Sequence, residues 1–304
     1  MIAASMSRAA FLCLLAGGCA IAFAPIFVRL SDTGPLASAF WRCALAAPVL
    51  WIVAVIPVET GIQPKPPERR GWIPASAGMT GVMLLAGLFF ACDLGVWHFS
   101  ILYTSVANST VLANLAPIFV TLAGWMFWKR GVTRLFLVGM LASIAGMFVL
   151  VGPNFAAGGR PLVGDALGAL TAVFYAGYFL TIKVARDAGA STARLMAWST
   201  TITALVLLPL ALAAPQPFLP AGAAGWLVLL GLAMVSQVLG QGLIAYAFAH
   251  LPASLSSVSL LIQPVMAAFF AWILFNEAIG IAQWVGGAMV LGGIYLARRG
   301  SNGS

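Results

Sequence analysis

Long apolar runs separated by short polar connections extend along the whole chain. The connections are marked by proline, glycine, asparagine or charged residues, as in SDTGP, KRGVTR and RDAGAST. A helix needs about 20 predominantly apolar residues to cross the hydrocarbon core of a bilayer. Ten runs approach this length, and they cover approximately residues 9–29, 35–57, 80–102, 106–128, 134–152, 163–183, 193–213, 223–247, 254–275 and 280–297. The pattern therefore predicts an all-α integral membrane protein with ten transmembrane helices.

Composition narrows the class further. The 304 residues are 62% hydrophobic and only 7% charged, whereas about 25% of the residues in a soluble domain are charged. The four cysteines lie inside apolar runs without CxxC spacing, which indicates buried apolar side chains and neither disulfides nor a zinc site. The sequence contains no Walker loop and no HExxH motif. We therefore expect no cofactor, no metal site and no enzymatic activity.

The basic residues predict the orientation of the helices. The net charge is +8, which in a soluble protein would suggest binding to nucleic acid. If the N-terminus is cytoplasmic, 12 of the 15 lysines and arginines fall in cytoplasmic segments. Such an excess of positive charge is typical of the cytoplasmic side of membrane proteins. The distribution predicts that both termini are cytoplasmic and that no nucleic acid is bound.

The two halves of the chain resemble each other. When residues 107–150 are aligned with 254–297, the identical pairs are Ser109/Ser256, Val111/Val258, Pro117/Pro264, Trp125/Trp272, Val138/Val285, Gly139/Gly286 and Gly146/Gly293. The glycines recur every seven residues and predict close helix contacts. Each half, residues 1–157 and 158–304, contains five runs, so the second half must be inverted relative to the first. Inverted repeats are typical of secondary transporters, with a central cavity between the repeats.

The stretch 59–81 differs from the rest of the chain. It is rich in proline and charge, and its GWIPASAGMT portion resembles translated palindromic repeat elements that some bacterial genomes insert into reading frames. A connection between helices can accept such an insertion at small entropic cost. We assign no function to this stretch.

Several motifs together resemble those of the ten-span EamA-type transporters of the drug/metabolite transporter superfamily. They are AFAPIFVRLSDTGPLASAFWRCALAAPVLW (22–51), TSVANSTVLANLAPIFVTLAGW (104–125), AVFYAGYFLTIK (172–183), GQGLIAYAFAHLPASLSSVSLLIQPV (240–265) and FNEAIG (275–280). The resemblance implies two inverted five-helix repeats around a central cavity, and export of metabolites or amino acids across the bacterial inner membrane. The chain departs from the family where Gly-Glu often follows the fourth span of each repeat. Here Lys129-Arg130 and Asn276-Glu277 occupy these positions.

Two ionisable residues inside the predicted spans are the main candidates for a solute site. A charge within a span costs about 3 kcal/mol on insertion scales, so it faces a cavity or a partner. In one interpretation Arg42 grips the carboxylate of an amphoteric solute bidentately while Asp93 receives the ammonium group. In the other, the two residues form a buried ion pair that joins spans two and three. Asp93 is also a candidate for carrying a proton.

Other polar and aromatic residues are candidates for the cavity wall. Gln237 and Gln241 are four residues apart and share a face of an α-helix. Trp97 follows Asp93 by one turn and can stack on a solute, and His98 is a candidate for proton handling. Hydrogen bonding between packed helices remains an alternative role for the glutamines, and packing remains one for the tryptophan.

The sixth, fourth and ninth spans add further candidates. Tyr175 and Tyr178 are three residues apart and can both face the cavity, and Tyr178 is included among the candidates. Asn114 and Gln263 come shortly before the aligned prolines, which free backbone carbonyls and interrupt helices. Core packing is the alternative for the tyrosines.

The sequence thus predicts a secondary transporter that exports amino acids or similar amphoteric metabolites by alternating access. Two alternatives remain: import of a cofactor or nucleotide-like solute, and a lipid-acting membrane enzyme with Asp93 and His98 as acid–base groups. The expected partners are a small-molecule solute and the lipid bilayer. The oligomeric state stays open, and a monomer is compatible with the pattern.

Overall fold

The chain forms helices throughout the part that the structure, a computed structural model, describes. The described residues are 2–55, 77–104, 106–129, 131–152, 161–276 and 279–301. The helices are α1 (Ile2–Ile21), α2 (Ala24–Leu30), α3 (Pro35–Val55), α4 (Ala77–Ser100), α5 (Val106–Ala113), α6 (Ala116–Trp128), α7 (Arg134–Val151), α8 (Pro161–Asp187), α9 (Thr192–Ala213), α10 (Ala223–Gly231), the π-helical segment (Leu232–Gln241), α11 (Gly242–Phe248), α12 (Ala253–Ser259), α13 (Ile262–Phe275) and α14 (Ile281–Ser301). Most of the insert-like stretch 59–81 lies outside the described residues.

Within the described residues, nine stretches are long and apolar enough to cross a membrane. They are Arg8–Leu30, Pro35–Val55, Met79–Ser100, Ser109–Trp128, Arg134–Val151, Leu162–Asp187, Thr192–Ala213, Ala223–Phe248 and Ala253–Phe275. They coincide closely with the first nine predicted runs, which confirms an all-helical protein of the membrane type. The tenth run is helical as α14, but its glycines and two arginines lower its hydropathy, and it is not among the nine.

Two spans are interrupted at corresponding places. The break between α5 and α6 falls at Asn114 and Leu115, two residues before Pro117. The break between α12 and α13 falls at Leu260 and Leu261, shortly before Pro264. A proline lacks the N–H that the helix would use one turn earlier, so each break follows from the proline after it.

The helices that follow these breaks also end alike. Lys129 ends α6 with φ of 50°, and Asn276 ends α13 with φ of 53°. Both residues adopt the left-handed conformation that commonly ends helices. The offset of 147 residues that aligns the two halves of the sequence also relates these two positions.

Helices α7 and α14 pack against each other along their length through small residues. A Cβ atom added to Gly146 would lie 2.7 Å from the carbonyl oxygen of Gly286, and one added to Gly139 would lie 2.6 Å from that of Gly293. The glycines therefore permit the close contact that their spacing predicts. Because Gly139 faces Gly293 while Gly146 faces Gly286, the two helices run antiparallel.

The connections gather at two ends of the bundle. At one end α6, α8 and α14 finish and α7 and α12 begin, and we call this the basic end because Lys129, Lys183 and Arg298 lie there. Its elements are joined by a hydrogen bond that the Thr133 hydroxyl donates to the carbonyl of Gly300 over 2.9 Å. At the opposite end, the connections α2–α3 and α9–α10 meet.

Candidate functional site

A central cavity of about 130 Å³ lies between the interrupted helices. Its wall is formed by parts of α1 to α5, α8, the π-helical segment and α13. The predicted site residues that line it are Arg42, Asp93, Trp97, His98, Asn114, Gln241 and Gln263. Residues widely separated in sequence are therefore brought to one cavity. Gln237 and Tyr178, also predicted for the site, lie outside this wall.

Arg42 is held in the cavity wall by hydrogen bonding from behind. Its Nε atom donates to Oε1 of Gln237 over 2.9 Å, and Nε2 of Gln237 donates to Oγ1 of Thr200 over 3.0 Å. The guanidinium carbon lies 5.9 Å from the centre of the Phe90 ring. Gln237 is fully buried and orients the arginine, and it does not face the cavity itself.

Asp93 faces the same cavity without a direct partner in the described chain. Its side chain is 7% exposed, as is that of Arg42. No described side chain donates a hydrogen bond to the carboxylate, and Arg42 directs its Nε to Gln237. The buried ion pair considered from the sequence is thus absent between these two described residues. A positive and a negative side chain therefore face one cavity without forming an ion pair with each other.

His98 presents a hydrogen-bond acceptor in the same wall. Its Nδ1 atom donates to the carbonyl of Leu94 over 2.6 Å, so this nitrogen carries a proton. In the neutral ring the other nitrogen, Nε2, is then an acceptor, and it has no partner among the described residues. The ring of Trp97 lies edge-on to the imidazole, with the ring centres 4.8 Å apart.

A cluster of two glutamines and one tyrosine forms another part of the wall. Nε2 of Gln263 donates to the hydroxyl of Tyr175 over 3.4 Å. Gln241 lies close to the same hydroxyl, and its Oε1 is buried with no hydrogen-bond partner in the described part of the chain. Two residues of the wall, His98 and Gln241, therefore each have a buried acceptor without a hydrogen-bond partner in the described part of the chain.

Tyr175 faces the cavity, and Tyr178 does not. Tyr178 is fully buried, stacks on Phe90 with ring centres 4.5 Å apart, and lies 3.9 Å from the sulfur of Met196 through its hydroxyl. Three residues on an α-helix correspond to most of one turn, so small rotations of α8 decide which tyrosine faces inward. Sequence spacing alone cannot make this choice.

The break between α5 and α6 contributes Asn114. Its Nδ2 atom donates over 2.8 Å to the carbonyl of Thr110, which the break leaves near the cavity. Thr110 and Thr171 also line the cavity. They were not predicted, because threonines are common in membrane helices and carry no distinct signal.

The matches to known proteins agree with this architecture. The model of the EamA-like transporter family matches residues 8–152 and again residues 162–299. The chain belongs to the EamA-like transporter family. It is therefore a membrane transporter, as the motifs in the sequence predicted.

Individual relatives of this EamA-like transporter are distant. The pseudopaline exporter CntI of Pseudomonas aeruginosa is 26% identical over 223 residues, which cover 73% of this chain and 76% of the relative. An uncharacterized transporter of Archaeoglobus fulgidus is 26% identical over 281 residues, covering 89% of this chain and 91% of the relative. One crystal structure shares the fold with a TM-score of 0.76 over 97% of this chain and 98% of the other, at 16% identity.

The hydrogen bond behind Arg42 allows a first test of this site in the transporter. Replacing Gln237 by methionine keeps the length of the side chain but removes the acceptor for Nε. A hydrogen bond to a charged group contributes about 1.5–3 kcal/mol, and part of it can be replaced by water from the cavity. We therefore expect Gln237→Met to raise the KM for solute about tenfold with a smaller change in maximal flux. Val238→Met is the control, because Val238 packs against the core next to Gln237 and does not accept the bond from Arg42. Equal changes in KM and in maximal flux in the two variants would contradict this role.

Proposed function

We propose that this EamA-like transporter exports amino acids or similar small amphoteric metabolites by alternating access. The observation that carries the proposal is the placement of Arg42 and Asp93, which face one cavity with opposite charges and without a direct contact. A solute with a carboxylate and an ammonium group would form an ion pair with each of the two residues at the same time. The guanidinium fork suits the carboxylate, and Asp93 suits the ammonium.

The remaining polar groups in the wall favour a solute that donates several hydrogen bonds. His98 Nε2 and Gln241 Oε1 are buried acceptors with no described partner. An unsatisfied buried acceptor costs about 1–3 kcal/mol, so a bound solute that donates to these atoms gains affinity. An ammonium group has three N–H donors and can use more than one of these acceptors. The wall is completed by apolar residues and by Trp97.

The proposed architecture is ten spans in two inverted five-helix repeats, with the second half starting near residue 158. The same family model matches both halves. The paired breaks before Pro117 and Pro264, the left-handed ends at Lys129 and Asn276, and the antiparallel packing of α7 on α14 all support this relation. Inversion allows the two halves to exchange conformations and expose the cavity alternately to each side.

We place the basic end in the cytoplasm of a bacterium and the protein in the inner membrane. The excess of lysine and arginine at one end supports this orientation, with both termini on the cytoplasmic side. Export is supported by the relative that is named an exporter. The cavity is formed within one chain, so a monomer suffices for the proposed cycle.

Flux measurements in proteoliposomes test the proposal. Purified protein is reconstituted, and uptake of labelled amino acids is followed with and without a pH gradient. We expect saturable flux of a zwitterionic amino acid that its unlabelled form inhibits. The matched amine without the carboxylate and the matched acid without the amine should each inhibit at least tenfold more weakly. The proposal is contradicted if the protein transports nucleotide-like solutes but does not transport any zwitterionic solute.

A further inference from the structure

A second cavity lies at the basic end of the bundle. It has a volume of about 390 Å³, larger than the central cavity, and lies among the ends of α6, α8 and α14 and the start of α12. Lys183 and Asp187 line it and form an ion pair, with Nζ 2.8 Å from Oδ1. We call this cavity the vestibule; its wall is mainly apolar and carries this ion pair.

Helix α8 connects the two cavities. Tyr175 lines the central cavity, and Lys183, two turns further along, lines the vestibule. Phe179 lies halfway between them on the same face of the helix, because residues four apart lie above one another. Its side chain is 1% exposed and belongs to neither wall. The path along this face is thus closed at Phe179.

The segment from the π-helical residues to α12 passes between the same two cavities. Gln241 lines the central cavity and Pro252 lines the vestibule, while Phe248 between them is fully buried. The rings of Phe179 and Phe248 stack with centres 4.8 Å apart and planes inclined by 22°. Phe179 also contacts Tyr175, with ring centres 4.1 Å apart.

The two interrupted spans complete the separation. Ala116, buried at 1% exposure, lies between the central-cavity residue Asn114 and the vestibule residue Val120. Val258, fully buried, lies between Ser254 in the vestibule and Gln263 in the central cavity. Each of the four segments that link the cavities therefore has a buried apolar side chain between the two walls.

We infer that the stacked pair Phe179 and Phe248 is the barrier between the solute site and the vestibule, and that solute passes between the two cavities when this stack separates. The identity of the solute rests on the proposed function, whereas the barrier itself does not. Two large rings that leave no gap exclude water and solute, and a shift of α8 relative to α11 separates them. The smaller side chains of the layer, Ala116 and Val258, cannot fill the space that a missing ring would leave.

Cysteine accessibility tests the barrier without any substrate. Cys13, Cys19, Cys43 and Cys92 are first replaced by serine or alanine, and single reporters are introduced as Ser254→Cys in the vestibule and Ala267→Cys in the central cavity. A charged, membrane-impermeant thiol reagent is added to one side of reconstituted vesicles. The side that labels Ser254→Cys rapidly is the vestibule side. From that side, we expect Ala267→Cys to react slowly while Phe179 is present.

Removal of either ring should open the path. Phe179→Ala and Phe248→Ala should each increase the labelling rate of Ala267→Cys from the vestibule side at least tenfold. Phe136→Ala is the matched control, because Phe136 is equally buried and lines the vestibule outside the stack. Unchanged Ser254→Cys labelling shows that each variant is folded. The barrier is overturned if the labelling rate of Ala267→Cys is unchanged in both folded stack variants, or if it increases equally with Phe136→Ala. Either outcome is independent of the flux measurements.

Discussion

Asp93→Asn should reduce solute flux, measured as kcat/KM in proteoliposomes, by about 100-fold. The substitution keeps the shape of the side chain but removes the negative charge that, in the proposed function, receives the ammonium group of the solute. A hydrogen bond between charged groups contributes about 1.5–3 kcal/mol, and 2.7 kcal/mol corresponds to about 100-fold in an equilibrium constant. For a solute that lacks the ammonium group, Asp93→Asn should reduce kcat/KM much less.

The same variant separates a solute-binding role for Asp93 from a structural one. Removing one partner of a buried ion pair costs about 3–5 kcal/mol of stability, because the other charge remains buried and unpaired. Arg42 instead bonds to Gln237, and no described side chain pairs with Asp93. Asp93→Asn should therefore leave the thermal stability of the detergent-solubilised protein unchanged or higher.

Asp165→Asn is the matched control for this prediction. Asp165 lies on α8 outside the cavity wall, and its Oδ1 accepts a hydrogen bond of 2.8 Å from the Thr104 hydroxyl. An asparagine can accept the same bond, and hydrogen bonds between neutral groups contribute only about 1 kcal/mol. Flux should therefore stay within about twofold of that of the parent protein. Full flux in Asp93→Asn, or equal losses in both variants, would remove Asp93 from the solute site.

Much of the fold follows from the sequence because the bilayer imposes a simple rule. Runs of about twenty apolar residues predict helices, and nine of them coincide with stretches that the described structure contains. The prolines at 117 and 264 indicate where two spans break. The π-helical segment was not predicted, since its backbone pattern depends on packing against α1 and α3 and not on a local sequence signal.

The site was harder to predict from the sequence than the fold, because the direction in which each side chain points depends on the rotation of its helix about its axis. Gln237 and Gln241 were expected on one face, but only Gln241 reaches the cavity, while Gln237 lies behind Arg42. The wider turn of the π-helical segment changes how residues four apart are placed. Whether Arg42 and Asp93 pair was equally undetermined, because the choice depends on how α3 is placed against α4.

Gly293→Ala should destabilise the protein by about 2 kcal/mol, the middle of the range for overpacking a close contact. A Cβ atom at this position would collide with the hydroxyl of Ser143 and would lie 2.6 Å from the backbone nitrogen of the same residue. Backbone atoms of α7 cannot move aside independently, so α7 and α14 must separate along the whole contact. Dispersion contacts drive helix association in a bilayer, where the hydrophobic effect contributes little, and separation forfeits them.

Gly292→Ala is a control one position away on the same helix. Gly292 is exposed, and an added Cβ would meet no atom within 4 Å. Alanine favours a helix over glycine by about 0.5–1 kcal/mol, so this variant should be as stable as the parent or slightly more stable. Thermal unfolding in detergent, followed by tryptophan fluorescence, measures both. If Gly293→Ala unfolds at the same temperature as Gly292→Ala, the glycine contact between α7 and α14 is not close, and the proposed inverted repeat loses one of its supports.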